Sequence, residues 1–214
     1  IILLRRLAVV FITCRTFLAA AQLPYSPPPF FPPKEHPRLY LRATDIPRII
    51  ANAGKPQNQN AWAQHQKNLQ TEITGTLGPE RVKDLGNMEP ALLGIITSYA
   101  LDYVLAKQAE SGRRAISAIK NYLKQVQFST RPNDLSSSTA YNEAGQTLFT
   151  VAVVYDWCHP LLSPADKADL LEGGVKCAKY LEVGWPPLKL PDIVGHATEG
   201  QVQRDLVAFA VATF

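Results

Sequence analysis

Apolar residues recur at helical spacing along this chain from Ile46 onward. "IPRIIANAG" follows Thr44 and Asp45 and stops at Gly54, which predicts a short helix. "PQNQNAWAQHQKNLQTEI" predicts a polar helix with Trp62 and Leu69 on one face. The strongest pattern is "MEPALLGIITSYALDYVLAK", where Leu92, Ile95, Ile96, Tyr99, Tyr103 and Val104 keep helical spacing. That run is apolar almost all round, so its helix is expected to be central. Ser111 to Val126 is amphipathic, and Tyr141 to Trp157 is again apolar nearly throughout. Ser163-Pro164-Ala165-Asp166 reads as a helix start, with Pro at the first helical position and an acid in the first turn; that helix is expected to run to Leu181. Ala197 to Phe214 forms the last one. No strand pattern and no βαβ rhythm interrupts the series, so the predicted fold class is all-α.

Two of these stretches resemble each other. Tyr99–Val126 and Val153–Leu181 each contain an apolar helix ending in an aromatic-Asp motif, a short turn opened by Ser, and an amphipathic helix. Helical hairpins repeated in this way bury a shared core by stacking, which predicts a solenoid or a closed toroid of hairpins.

The N-terminal part follows a different pattern. "IILLRRLAVVFITCRTFLAAAQ" has a basic start at Arg5 and Arg6, a short apolar run, and Ala19-Ala20-Ala21 before Gln22. Residues 1–21 therefore read as a signal peptide for secretion or export to the periplasm, an Arg-rich mitochondrial presequence being the alternative. The apolar run is too short for a membrane span, and Arg15 interrupts it. Eight of the 17 prolines fall between Pro24 and Pro47, so residues 22–35 read as an extended Pro-rich linker and a folded domain is expected over 36–214. The chain of 214 residues starts with Ile and ends inside an apolar run, so it is expected to be a piece of a longer protein, cut at both ends.

The formal charge of +4 includes three arginines and no acid within 1–21, leaving +1 for the remainder. Neither that balance nor any basic run supports a nucleic-acid partner, and none of the predicted elements suggests a membrane partner. Cys158 and Cys177 stay with the domain; they could pair or remain as two buried thiols.

Candidate chemistry concentrates in "DIVGHATEG". His196 and Glu199 lie three residues apart at the start of the last predicted helix, after a Pro-rich loop, so both can face one side. A His held there suits acid–base work near neutral pH. A satisfied structural hydrogen bond is the plainer reading of the same spacing. His36 falls in the linker region, His65 on the polar helix where it is expected to be solvated, and His159 after a helix end. Asp102 and Asp156 end apolar helices at equivalent places in the repeat and read as structural. Tyr141, Asn142 and Gln146 sit at a helix start after a polar loop, where they could hydrogen-bond a sugar or simply cap the helix. No HExxH or CxxC spacing is present, so no metal is expected in this chain, and neither GxSxG nor GxGxxG occurs.

"HPRLYLR" (His36–Arg42), "VVYDWC" (Val153–Cys158) and "GWPPLK…DIVGHATEG" (Gly184–Gly200) together resemble the heparinase II branch of the heparinase II/III-like polysaccharide lyases. The resemblance covers His36 to Phe214. It implies an incomplete α/α toroid and β-elimination on a uronic-acid glycan such as heparin or heparan sulfate. In that reaction a base takes the C5 proton, an acid protonates the leaving O4, and an unsaturated uronide remains. The family's catalytic His would fall on His196, and its Glu partner, which contacts the uronate carboxyl, on Glu199. The family's catalytic Tyr lies further along than Phe214, and its second catalytic His and structural zinc belong to a downstream β domain. Near "YNEAGQ" the family carries an Arg where this chain has Asn142, and Asn cannot bind sulfate or carboxylate bidentately. The implied partner is thus an acidic polysaccharide, of which heparin is one case.

Two other functions fit the same helices. A glycoside hydrolase on an α/α toroid would need two carboxylates across a cleft. A non-catalytic carbohydrate-binding fragment would need neither base nor acid.

Overall fold

The computed structural model describes residues 31–79, 86–128, 140–182 and 198–214; the side chains of 140–142, 180, 182 and 198–202 are outside that description. The chain divides into two compact units, 1–31 and 32–214. Of the first only Phe31 is described, so the expected signal peptide and most of the expected linker lie outside the described residues. The second unit contains helices α1 (Ile46–Ala53), α2 (Gln59–Leu69), α3 (Pro90–Ala106), α4 (Ala109–Gln125), α5 (Ala140–Trp157), α6 (Pro164–Glu182) and α7 (Thr198–Thr213). Short 3-10 turns precede α1 and α2 and follow α5. Among the described residues there is no strand, which bears out the all-α expectation.

Core formation explains the arrangement. α5 is buried on every side from Thr150 to Trp157. It packs against α3, α4, α6 and α7 and is the hub of the unit. α3 contributes Leu93, Ile96, Tyr99, Ala100 and Val104 to the same core. Ile96 is fully buried, whereas its neighbour Ile95 is half-buried at the margin. α4 is amphipathic as expected and turns Ala115, Ile116, Ala118, Ile119 and Tyr122 inward.

The two resembling stretches form two hairpins, α3–α4 and α5–α6, which stack with α3 on α5 and α4 on α6. Named contacts give their directions. The Tyr122 hydroxyl near the end of α4 accepts from the Glu89 N–H just before α3, at 3.1 Å. Leu161, after α5, lies against Gly112 at the start of α4, beside Tyr103 at the end of α3. The first turns of α3 and α5 therefore sit at one end of the unit and their last turns at the other. Lys120 of α4 binds Asp166 and Asp169 of α6 at 2.6 and 2.8 Å, tying the second layer together. Asp166 and Ser163 also form a reciprocal cap at the expected helix start: Asp166 N–H donates to Ser163 Oγ and Ser163 N–H to Asp166 Oδ2, both at 3.1 Å.

Two local expectations need correction. The polar helix does not run to Ile73 but ends at Leu69, because the Tyr99 hydroxyl reaches the carbonyl oxygens of Leu69 and Thr71 at 2.9 and 3.0 Å. Residues beyond it form an extended strap over α4, held where Asn121 Nδ2 donates to Thr74 O at 2.8 Å and Leu77 N–H donates to Gln125 Oε1 at 3.2 Å. At Gly75, with φ +68°, the strap approaches the Ala118 carbonyl so closely that no Cβ fits. His65 is the second correction. It is buried, not solvated, tilted against Trp62 at 4.9 Å, with neither ring nitrogen bonded. Burial pushes its pKa down, which keeps the ring neutral where it has no partner.

Candidate functional site

Two of the three motifs that carry the resemblance meet in space. Asp156, fully buried near the end of α5, accepts Arg38 N–H at 2.9 and 2.7 Å and Leu39 N–H at 2.7 Å. His36 Nδ1 completes the set at 2.6 Å on Oδ1. Trp157 Nε1 donates to Leu39 O at 3.1 Å, so both residues of the Asp-Trp pair grip the arm. The arm residues Leu39 and Leu41 are buried in the core. Asp156 therefore holds the arm onto the hub helix, which agrees with its structural reading. Asp102, its counterpart in the repeat, does a smaller job: it accepts Ser111 Oγ at 2.5 Å and closes the α3–α4 turn.

The His36 ring stacks on His159 with centroids 3.7 Å apart and 8° between planes. A His bonded to a carboxylate is the arrangement that orients a base in many enzymes. Here the His36 side chain is only 9% exposed and His159 covers one face. Burial lowers the His36 pKa and outweighs the opposing pull of Asp156. Burial, with the charges of Lys167 and Arg38 and the adjacent His36, pushes His159 down to about 4. Three backbone N–H bonds already reach the Asp156 carboxylate, so a neutral His36 donating from Nδ1 suffices. The two rings form a neutral stack, and with Asp156 they make a structural clasp. His36, at the expected edge between linker and domain, is a structural member of the domain.

The residues singled out for chemistry fall at the other end of α5. Tyr141 and Asn142 lie in its first turn, and Gln146 follows one turn on, half-buried. Glu199 lies in the first turn of α7. His196 lies outside the described residues. α7 runs parallel to α5. Asp205, seven residues into α7, lies against Gly145, five residues into α5, so tightly that a Cβ on Gly145 would collide with it. At the far end, Arg38 is bonded to Asp156 through its N–H and donates from Nη1 to Val211 O at 3.2 Å. The first turns of α5 and α7 are therefore side by side and nearly level.

Below them is a pair that the sequence reading did not single out. Asp205 is almost fully buried; Arg204 Nε and Nη2 reach its Oδ1 at 2.7 and 2.6 Å. Desolvation raises the Asp205 pKa and Arg204 opposes the rise. The Arg204 guanidinium lies over the Phe149 ring, 4.9 Å from its centre. The signal was present in the sequence: Asp205 directly precedes the apolar run that ends the chain, on the helical face shared with Ala208, Phe209 and Ala212.

Cys158 and Cys177 are free and buried, and burial pushes each thiol to about 12, so neither serves as a nucleophile near neutral pH. Among the described residues no group of His, Cys, Asp and Glu is placed to hold a metal ion. Among them, too, no helix is long and apolar enough to cross a membrane. No protein-family model matches the chain, and no curated protein matches its sequence.

Proposed function

We propose that the chain carries the N-terminal part of the catalytic domain of a polysaccharide lyase, secreted or periplasmic, that cleaves uronic-acid-containing glycans by β-elimination on an incomplete α/α toroid. The observation that carries this reading is the parallel pairing of α5 and α7, whose first turns contribute Tyr141, Asn142 and Glu199 to one end of the unit. The chemistry needs such convergence. The C5 proton of a uronate becomes acidic only when the neighbouring carboxylate is neutralised, so a carboxylate-binding group and a base must face the same sugar. In this reading His196 takes or returns the proton. Glu199, holding its own proton, donates to the uronate carboxyl, which requires a raised pKa from desolvation and the adjacent negative charge. Asn142, Tyr141 and Gln146 bond the sugar hydroxyls. Stacked hairpins with α3, α5 and α7 pointing the same way support the toroid, because that fold repeats such a step around a ring.

The test is direct. The protein produced from its full reading frame is incubated with glucuronate- and iduronate-containing polysaccharides. β-Elimination yields an unsaturated uronide that absorbs in the ultraviolet, whereas hydrolysis yields new reducing ends without that absorbance. Reducing ends without ultraviolet absorbance would replace the lyase reading with a glycoside hydrolase.

A further inference from the structure

The arm residue Tyr40 stands in a backbone conformation that its side chain does not favour. Its φ is +61°, and Leu41 N–H donates to Leu39 O across it at 2.7 Å, which makes Tyr40 the apex of a γ-turn of the rare, strained kind. Gly or Asn would sit there at less cost, and a bulky aromatic at positive φ is an outlier. The turn persists because it is held from both sides. Leu39 N–H is bonded to Asp156, Leu39 O to Trp157, and the Leu39 and Leu41 side chains are buried. The outcome is a tyrosine that is 67% exposed on a fixed backbone. Strain held by its surroundings, with a large ring turned to solvent, is the signature of a residue kept for contact with something else.

That ring has a neighbour suited to a negative ligand. Tyr40 packs edge-on against Phe149, with centroids 5.7 Å apart, and Arg204 lies over the same Phe149 ring. Arg204 is held by that aromatic face and by buried Asp205, yet its side chain remains 48% exposed. A guanidinium ordered in advance loses little freedom when a carboxylate arrives.

We infer that Tyr40 and Arg204, joined through Phe149, form a binding subsite for a uronate residue of an acidic glycan. Tyr40 stacks on the C–H face of the pyranose, and Arg204 bonds its carboxylate or ring hydroxyls. The inference rests on the proposed uronic-acid substrate and adds a site outside the first turns of α5 and α7. A nucleic acid is the less suitable ligand. Its phosphate chain calls for several cations in a row, and the domain after residue 21 carries a net charge of only +1.

Isothermal titration of the full chain tests this with three probes: a tetrasaccharide alternating glucuronate and N-acetylglucosamine, the neutral tetrasaccharide of N-acetylglucosamine, and an oligothymidine. The acidic tetrasaccharide is expected to bind about tenfold more tightly than the neutral one, the worth of one charge-assisted contact. Tyr40→Asn keeps a residue tolerant of positive φ and removes the ring; it is expected to weaken acidic binding about tenfold while the melting temperature holds or rises. Arg204→Gln is expected to abolish the preference for the acidic probe. Should Arg204→Gln fail to fold with Asp205 left unpaired, Tyr40→Asn alone decides. Equal affinity for acidic and neutral probes, absence of binding, tighter binding of oligothymidine, or wild-type affinity in Tyr40→Asn overturns the inference. Because binding and product formation are separate readouts, a chain that binds as expected but forms no ultraviolet-absorbing product keeps this subsite and loses the lyase reading. Product formation with unchanged affinity in Tyr40→Asn does the reverse.

Discussion

His36 and Asp156 lie 120 residues apart in the chain and 2.6 Å apart in the fold. The bond joins the first residue of one motif to the centre of another and closes a clasp that also takes in Arg38, Leu39 and Trp157. Asp156→Ala would leave the Arg38 and Leu39 N–H groups buried without an acceptor. The expected loss is about 3–5 kcal/mol, the range for breaking a buried polar network by removing one partner. Urea unfolding measures it, and a loss well under 1 kcal/mol would show that the arm is not anchored this way.

The clasp also sets a pH response. His36 and His159 both have lowered pKa values in the fold, His159 down to about 4, against an ordinary value of 6.5. Between about pH 4 and 6.5 the unfolded chain thus binds more protons than the fold. The stability from these rings is fully present above 6.5 and is lost as pH falls toward 4. His159→Gln should flatten that slope. Asp205, with a raised pKa, acts in the opposite sense, so the comparison is between variant and parent across pH 4.5 to 7.5 in steps of about 0.5. An unchanged slope in His159→Gln would contradict the neutral stack.

Core position on α3 should separate two adjacent isoleucines. Ile96 is fully buried and Ile95 half-buried. Ile96→Ala is expected to cost about 2–5 kcal/mol, and Ile95→Ala clearly less. Ile96→Asp is expected to prevent folding. The reverse ranking in thermal or denaturant unfolding would mean that α3 is rotated from its described register.

Catalysis, if by the proposed route, depends on His196 and Glu199. His196→Ala should lower turnover by about 10²–10⁴ with little change in melting temperature. Glu199→Gln should be milder than Glu199→Ala, because an amide still donates a hydrogen bond. A His196→Ala protein that is destabilised but fully active per folded molecule would return the motif to a structural role.

The helices were legible in the sequence because apolar spacing is a local signal, and α3 to α7 fall within a few residues of their expected bounds. The failures came from contacts between elements. Nothing local tells that the Tyr99 hydroxyl will take the carbonyls of Leu69 and Thr71 and end α2 there. A polar helix does not announce which polar residue turns inward, so buried His65 was read as solvated. Ile95 and Ile96 are chemically identical neighbours about 100° apart on the helix, and only packing ranks them. The role of His36 has no local signature, since its partner is on the hub helix. Of the candidate site, the first-turn positions of Tyr141, Asn142 and Glu199 were legible from the helix starts, whereas Arg204 and Tyr40 gain their setting from Phe149, Asp205 and the arm.

The arm has a consequence for how the protein is made. Arg38 emerges from the ribosome 173 residues before Val211, whose carbonyl it bonds. At a synthesis rate of about 5–20 residues per second, that gap is roughly 9–35 s. During that interval Leu39, Tyr40 and Leu41 have no hub helix to dock on until α5 is complete, and no last helix to close against until α7 follows. The first part of the domain to be translated is thus the last to be locked, and its apolar residues are the ones that a chaperone would meet on the nascent chain.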